Sequence, residues 1–446
     1  MKEKSRPKKR SGDLDINYNP ERIRHLTASF KSSLSTTCNR AKIFCVLLIV
    51  FISAMDARIL AQDEKITNEN IEFIEYPDYP EAHSTWGSIG YNPKFNTVHI
   101  GVTNHHDNVA LYEYDVATDE MNLDGFIRDM ANLRSFQWQG KIHSKILTDD
   151  LGNIYFSTDG GESREEYLMN HPHGYSGGFW MKYNPSTGRL SNLGMGLRNE
   201  SIKDLDRDPF TGILYGITYP QAHFLVFDPA KNDLIDLGRL ASSHVPRVLF
   251  TDRWGNCYYV DWRQRLVKYE KNSGELVFDN QSVPAFPGTP GSKIITGITA
   301  YAKDPENEII YLVTYGAKIL SFRPKKEGIG AVTDLGGVIE TGNAEKWDPY
   351  VPNLNLGNNG KLYYFIGGHG NYIREDKTVL VEFDPKSGMK NILFEFPTTT
   401  INEVTGHDVK DREGNLYFAG RREVLKGSKK ISPFMIKFNP EKKLRK

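Results

Sequence analysis

Residues 248–270, VLFTDRWGNCYYVDWRQRLVKYE, contain the pattern that decides the fold. A short apolar segment is followed by a turn at 252–256, an aromatic segment, a variable loop, and a third segment that ends at Tyr269. Aromatic and β-branched residues favour strands, whereas Gly and Asn favour the tight turns between them. The stretch therefore predicts three consecutive antiparallel strands.

The same pattern recurs about seven times after residue 70, at a spacing of roughly 40 to 70 residues. The turns lie at 91–93, 149–153, 208–212, 252–256, 304–307, 358–360 and 411–415. The third segments end at Tyr114, Tyr183, Phe227, Tyr269, Phe322, Phe383 and Phe438. With a weaker fourth segment, such as 234–237, each repeat corresponds to one four-stranded blade. The sequence predicts an all-β protein, a seven-bladed β-propeller.

The two ends of the repeat array predict how the ring closes. The last repeat stops after its third strand, 433–438, and an unassigned strand at 71–76 precedes the first repeat. We expect this N-terminal strand to complete the last blade, because pairing removes an open sheet edge. Two independent β-sandwich domains would need a linker, and no Pro-, Ser- or Gly-rich break is present. Residues 63–446 are therefore interpreted as one propeller that forms the catalytic domain.

The composition agrees with this fold and argues against a nucleic-acid partner. The chain has 56 Lys+Arg and 56 Asp+Glu, so its formal net charge of +0 offers no uniform field for nucleic acid. With 39 Gly, 22 Pro, 23 Tyr and 23 Phe, it suits short strands and turns better than helices. We expect a monomer that has no nucleic-acid partner and meets a membrane only through its leader.

Residues 1–62 have the pattern of an export leader. A basic, polar stretch at 1–42 precedes an apolar run at 43–52, and small residues follow up to Ala61. The apolar run is about half the roughly 20 residues that span a bilayer. This pattern predicts a signal peptide cut near Ala61, with an N-terminal anchor as the alternative. Either would export the domain to the periplasm or the outside of a bacterial cell, and a cleaved chain would keep Cys257 as its single cysteine.

Histidine and arginine concentrate at one predicted end of the propeller. Inner-strand starts and the loops between second and third strands share one rim, opposite the Asp-containing turns. Inner-strand starts at this rim supply His143, His244, Arg247, Asn353 and His407. Its loops supply His105, His106, His171, His173, Tyr175, Tyr219, His223, Trp262, Arg263, Tyr315, His369, Tyr372 and Arg421. Ordinary loop polarity would give Ser, Asn, Asp and Lys, so this bias predicts a functional site.

These residue types suit proton abstraction next to a carboxylate. The α-proton of a uronic acid becomes removable when Arg or a metal neutralises the carboxylate, and His or Tyr can serve as base and acid. Aromatic side chains such as Trp262, Tyr175 and Tyr372 would stack on sugar faces. The predicted substrate-binding residues are His106, His171, Tyr175, His223, Trp262, Arg263, Tyr315, Tyr372 and Arg421.

Four short motifs carry a family resemblance. They are KIHSK at 141–145 with its following turn, HPHGY at 171–175, GITYPQAH at 216–223, and VPR at 245–247. The chain resembles the seven-bladed propeller ulvan lyases of polysaccharide lyase families 24 and 25, and more distantly the oligogalacturonate lyases. The resemblance spans the whole predicted propeller. It implies β-elimination from a uronic-acid glycan.

In those families a pair of His, a Tyr and an Arg meet at the ring centre in that chain order. The order is matched here by His143, His173 or His171, Tyr219 and Arg247. The resemblance implies that Arg247 neutralises the carboxylate, while Tyr219 or a His acts as base and acid.

Two other functions use the same residue types. A dehydratase would eliminate water from a terminal uronate, with the same base and carboxylate partner but another leaving group. A non-catalytic propeller would bind anionic glycans without turning them over. No cofactor is expected. His369 and His407, with Asp408 next to it in sequence, are candidate ligands for a divalent cation, although no H-x-x-x-H or C-x-x-C spacing supports them.

Overall fold

The computed structural model describes residues 70–105, 109–160, 174–240, 248–261, 263–283, 297–315, 317–339, 351–367, 377–428 and 430–441. The predicted leader, residues 1–62, lies outside them. All described residues belong to one compact unit that begins at Thr67. Within the described ranges, no helix is both long and apolar enough to cross a membrane.

The described chain is almost entirely β-structure. Besides its strands it has one short helix, α1 (Ile127–Met130), and a 3-10 turn at Ser135–Gln137. The N-terminal strand is β1 (Ile71–Glu75). An antiparallel four-stranded sheet follows, with β2 (Ile89–Asn92), β3 (Thr97–Thr103), β4 (Val109–Asp115) and β5 (Glu120–Phe126). Each strand pairs with the next along the chain, as in a propeller blade.

The second sheet has five strands because its inner strand is interrupted. These are β6 (Lys141–Ile142), β7 (Leu147–Thr148), β8 (Ile154–Asp159), β9 (Phe179–Asn184) and β10 (Arg189–Met195). Both β6 and β7 pair with β8. In the interruption, the Ser144 hydroxyl accepts a hydrogen bond from the Ser157 backbone N–H at 2.9 Å. His143 therefore lies in a break of the inner strand.

Three further sheets repeat the four-stranded order. The first has β11 (Ser201–Arg207), β12 (Leu214–Tyr219), β13 (His223–Asp228) and β14 (Asp233–Arg239). The next has β15 (Phe250–Thr251), β16 (Cys257–Val260), β17 (Arg265–Glu270) and β18 (Glu275–Ser282). The last has β19 (Ile298–Asp304), β20 (Ile309–Thr314), β21 (Lys318–Pro324) and β22 (Gly330–Gly337).

The remaining strands form one eight-stranded sheet. They are β23 (Asn353–Leu356), β24 (Leu362–Ile366), β25 (Lys377–Phe383), β26 (Lys390–Pro397), β27 (Glu403–His407), β28 (Leu416–Glu423) and β29 (Ile431–Phe438), with β1 at one edge. The described residues thus form six hydrogen-bonded sheets, whereas seven repeats predicted seven separate ones. The eight strands form two runs of four, β23–β26 and β27–β29 with β1. The two runs are joined because β23 and β27 pair in parallel, Asn353 with Gly406 and Leu354 with His407.

The N-terminal strand lies against the end of the chain. β1 pairs antiparallel with β29, from Ile71 opposite Phe438 to Glu75 opposite Phe434. Phe73 packs edge-on against Phe434, with ring centroids 5.4 Å apart. This apolar contact supports the backbone pairing.

Local hydrogen bonds explain the recurring turn. The Asp252 carboxylate accepts the backbone N–H of Trp254 at 2.9 Å and of Asn256 at 3.0 Å. Its other oxygen accepts the Asn256 amide and the Tyr258 hydroxyl, both at 2.9 Å. Gly255 has φ 84°, which glycine adopts without strain. The turn motif therefore fixes an aromatic residue near the start of the second strand.

The described fold is an all-β propeller. The inner strands of its sheets surround a channel, and hydrophobic side chains fill the spaces between sheets, for example Trp180 stacked on Phe227 at 5.4 Å. Two names are used below. The upper rim is the end of the channel at which inner strands begin, and the lower rim is the end that carries the Asp-containing turns.

Candidate functional site

Charged and aromatic side chains gather at the upper rim. We call these residues the upper cluster: Trp86, Lys141, His143, Asp159, Lys203, Tyr219, Glu403 and Arg421. They lie on or next to the first three sheets and the eight-stranded sheet. A cavity of about 30 Å³ in the channel is lined by Trp86, His143 and Glu403 among others. Residues far apart in sequence are therefore neighbours around the channel.

Trp86 is the centre of contacts in the upper cluster. Its indole lies parallel to the His143 ring, with centroids 6.3 Å apart and an interplanar angle of 11°. The Lys141 ammonium lies 4.9 Å from the indole centroid and the Arg421 guanidinium 5.0 Å from it. The indole N–H donates to His105 Nε2 at 2.6 Å. One buried tryptophan thus positions two cations and two imidazoles.

The His143 ring is held in a defined tautomer. Its Nδ1 lies 3.0 Å from the backbone carbonyl oxygen of Lys203. A carbonyl oxygen can only accept, so Nδ1 carries the proton and Nε2 of the neutral ring carries the lone pair. This is the protonation pattern that a general base requires.

Lys203 links His143 to Tyr219. Its carbonyl accepts from His143, and its ammonium lies 4.8 Å from the centroid of the Tyr219 ring. The same ammonium lies 3.4 Å from an Asp159 carboxylate oxygen, and both side chains are almost fully buried. Asp159 also accepts the Ser201 hydroxyl at 3.1 Å. The structure therefore brings His143 and Tyr219 to one residue of the neighbouring inner strand.

An ion pair borders the upper cluster on the side of the last strands. Arg421 on β28 pairs with Glu403 at the start of β27. Counting Lys141, Lys203 and Arg421 against Asp159 and Glu403, three cations face two carboxylates. These five residues carry one net positive charge, which favours an anionic ligand.

Other predicted site residues in the described part of the chain lie away from the upper cluster. The Tyr175 hydroxyl donates to Gln139 at 3.1 Å and its ring packs on Trp138. His223 begins β13, the third strand of its sheet, and its Nδ1 lies 2.9 Å from Asp236 on β14. Arg263 is exposed, whereas Tyr315 is buried. Of the predicted substrate-binding residues, only Arg421 joins the upper cluster within the described part.

Several predicted residues lie outside the described part of the chain. They are His106, His171, His173, His244, Arg247, Trp262, His369 and Tyr372. Their roles stay predictions.

The placement of His407 corrects one sequence-based expectation. His407 was predicted at the start of an inner strand, but β27 runs from Glu403 to His407, so the histidine ends the strand. It stacks on Tyr301 with centroids 4.6 Å apart and lines a cavity at the lower rim. Burial and the nearby ammonium groups of Lys145 and Lys303 lower the pKa of His407 well below its usual value. Among described residues, no group of three His, Cys, Asp or Glu is placed to hold a metal ion.

Sequence reasoning missed two almost fully buried lysines of the upper cluster. Lys141 and Lys203 are 0% and 3% exposed, although lysine is almost never fully buried without a partner. Each lies in an inner strand next to a buried isoleucine, Ile142 or Ile202. A lysine at such a position is the signal that could have identified them.

Comparisons with known proteins bear on the fold alone. No protein-family model matches the chain, and no curated protein matches it. The chain is similar to a solved structure described as "Crystal structure of RRP9 WD40 repeats", with TM-score 0.50 and 9% identity, covering 83% of this chain and 98% of that one. A second, "Structure of U3-55K", has TM-score 0.49 and 9% identity, covering 83% and 99%. At this identity the first likeness shows a propeller architecture and no function.

Proposed function

We propose that the protein is a carbon–oxygen lyase that acts on uronic-acid-containing glycans by β-elimination. The observation that carries this proposal is the link from His143 through Lys203 to Tyr219 at the upper rim. It joins two groups able to transfer protons to one residue, His143 through the Lys203 carbonyl and Tyr219 through the Lys203 ammonium. The family resemblance stated from the sequence motifs points to the same reaction.

In the proposed reaction, His143 Nε2 takes the proton from C5 of the uronate. The electron pair of the C5–H bond forms the C4=C5 double bond, and the C4–O bond breaks. The Tyr219 hydroxyl gives its proton to the leaving oxygen, and solvent later restores both groups. Every proton has a donor and an acceptor, and no redox partner is needed.

The carboxylate must be neutralised for C5 to become acidic. Lys141 and Arg421 supply cations beside Trp86. The resemblance assigns this role to Arg247, whose fork of N–H donors could bind the carboxylate through two hydrogen bonds. We propose Arg247 as the direct partner and the positive charge of the upper cluster as the attraction that brings the substrate in.

The test is to incubate the protein with ulvan, with polygalacturonate and with a neutral glucan, and to follow the ultraviolet absorbance of the unsaturated uronate product. We expect product from one of the acidic polymers and none from the glucan. His143→Ala and Tyr219→Phe should each lower turnover by roughly 100-fold or more. Lys318→Gln, which removes an exposed ion pair with Asp334, is the matched control. Native rates in both site variants would remove them from catalysis.

A glycan-binding propeller without turnover is the second candidate. The ion pairs Lys203–Asp159 and Arg421–Glu403 favour it, because they partly neutralise the cations that a reaction would use. Binding of an acidic polymer without absorbance change or chain shortening would replace the lyase with this function. Loss of one water at unchanged chain length, measured by mass spectrometry, would indicate the dehydratase.

We propose that the propeller has seven blades and that β1 closes the ring. The eight-stranded sheet divides at the two-residue parallel pairing of β23 and β27 into two runs of four strands. In one of these runs β1 is the outermost strand, next to β29. Deleting residues 70–75 should then destabilise the whole domain, and an unchanged unfolding midpoint would contradict closure.

We also propose that the domain is exported, from the leader pattern at residues 1–62. The N-terminal sequence of the secreted chain tests this. A start near Asp63 supports cleavage, whereas an exported chain that keeps residues 1–42 supports the anchor.

A further inference from the structure

The lower rim contains a second cavity, of about 500 Å³, on the opposite side of the channel from the upper cluster. Its lining includes Asp206, Tyr301, Lys303, His407 and Asp408, which come from three inner strands and the residue that follows one of them. Cavities of this size are in the range that small-molecule sites occupy. None of these side chains takes part in the reaction proposed above.

Three side chains in this cavity have hydrogen-bonding capacity that the described residues leave unused. His407 is 9% exposed, and its buried Nε2 has no hydrogen-bond partner among the described residues. The Tyr301 hydroxyl likewise makes no hydrogen bond to the described part of the chain. The Lys303 ammonium donates one hydrogen bond, to the Thr251 hydroxyl at 3.3 Å, and no described carboxylate lies within 4.0 Å of it. Leaving the buried His407 Nε2 unsatisfied costs free energy, which a ligand would recover.

The three donors lie together. The His407 and Tyr301 rings are 4.6 Å apart between centroids, and the Lys303 ammonium lies 5.4 Å from the Tyr301 centroid. A second ammonium, that of Lys145, lies at the same distance from Tyr301, but it is already paired with Asp204. An ammonium, a phenol and an imidazole in its Nε2–H tautomer are suitable donors to one carboxylate.

The same cavity also offers acceptors. Each Asp206 oxygen accepts one backbone N–H, from Arg207 and from Thr251, and keeps a second lone pair. Asp408 accepts the Lys303 backbone N–H at 3.0 Å. Carboxylates repel a polyanion but accept hydrogen bonds from hydroxyl groups. A ligand that suits both halves of the cavity therefore has one carboxylate and several hydroxyls.

We propose that the lower-rim cavity binds a small hydroxylated carboxylic acid, such as a uronic acid monosaccharide. Lys303, Tyr301 and His407 bind its carboxylate, and Asp206 and Asp408 accept its hydroxyls. The site lies apart from the upper cluster and does not depend on the proposed lyase reaction.

Isothermal titration calorimetry of the whole protein with D-galacturonate tests this, with D-galactose and acetate as probes that each lack one half of the ligand. We expect saturable binding of galacturonate that is at least tenfold tighter than that of either probe. Lys303→Gln and Tyr301→Phe should weaken it by about tenfold or more, since hydrogen bonds to charged groups contribute that much. The control Lys318→Gln should bind as the wild type does.

Three outcomes would overturn the proposal. The first is a wild-type protein that shows no saturable heat with galacturonate. The second is galactose binding as tightly as galacturonate, which would remove the carboxylate from recognition. The third is binding that His143→Ala abolishes and Lys303→Gln leaves intact, because the ligand would then occupy the upper cluster. None of these binding measurements depends on lyase activity, so the two proposals can fail separately.

Discussion

Two histidines at opposite ends of one channel show how differently the same side chain can be held. His143 at the upper rim is partly exposed, and a backbone carbonyl fixes its proton on Nδ1. His407 at the lower rim is buried, its Nε2 has no described partner, and two ammonium groups oppose its protonation. The first has its proton on Nδ1, as the proposed general base requires, whereas the second is kept neutral. Surroundings, and not residue type, determine the role of each.

Lys145 lies between these two ends. It lines both the small cavity in the channel and the larger one at the lower rim. Its ammonium lies 2.7 Å from both an Asp204 oxygen and the Leu249 carbonyl oxygen. Asp204 in turn accepts the Leu249 backbone N–H at 2.8 Å. This buried pair ties three inner strands together and separates the two rims.

The largest effect is expected from breaking the ion pair between Lys145 and Asp204. Asp204→Ala leaves the Lys145 ammonium buried without its carboxylate, which should lower the free energy of unfolding by about 3–5 kcal/mol. Urea unfolding measures this directly. The double variant Lys145→Met/Asp204→Leu is the control, because it removes both charges and should cost much less. A single variant no less stable than the double variant would show that the pair does not hold the channel together.

The second effect concerns the neutral histidine and depends on pH. Below about pH 6.5 the unfolded chain protonates His407, but the folded chain does not, because its pKa is lowered by burial, Lys145 and Lys303. The unfolded state then binds more protons, so this histidine lowers stability by about 1.4 kcal/mol per pH unit as the pH falls below that value. His407→Gln removes this dependence.

Urea unfolding of the wild type and His407→Gln at pH 7.5 and at lower pH measures the difference. The stability of the variant relative to the wild type should rise as the pH falls toward 5.5. A difference that is the same at all pH values would mean that His407 titrates normally. The two proteins share every other ionisable group, so the subtraction isolates this one.

The turns and strand order could be predicted because the interactions that form them are local. Asp252 reaches Tyr258, only six residues later, so the motif is complete within a short window. The repeats likewise predicted consecutive antiparallel strands, and the strand predicted at 71–76 is observed at Ile71–Glu75, paired with the end of the chain. The parallel joining of β23 and β27 was missed, since Gly406 opposite Asn353 carries no sequence signal beyond a glycine.

The upper cluster could be predicted only in part, because its contacts connect distant residues. His143 and Tyr219 were identified from their motifs, but the residue that links them, Lys203, pairs with Asp159 across 44 positions. A lysine in a strand is normally assigned to a solvent face, and burial by a neighbouring sheet is visible only in the fold. His407 was assigned to the wrong rim because the start of β27 was placed four residues too late.

The smallest expected effect comes from comparing two tryptophans, one at each rim, that each have an arginine over the ring. Arg421 lies 5.0 Å from the Trp86 centroid at the upper rim, and Arg253 lies 4.4 Å from the Trp254 centroid in a lower-rim turn. Phenylalanine keeps an aromatic face at either position but loses the indole N–H, which at Trp86 donates to His105. One hydrogen bond contributes about 1 kcal/mol, so Trp86→Phe should lower turnover on an acidic glycan by roughly fivefold. The bond to His105 holds the indole beside the His143 ring, so Trp86, as a positioning residue, should affect kcat more than KM. Trp254→Phe, the matched control, should leave both constants within about twofold of the wild type. Equal losses in the two variants would mean that the upper rim is not the reactive end of the channel.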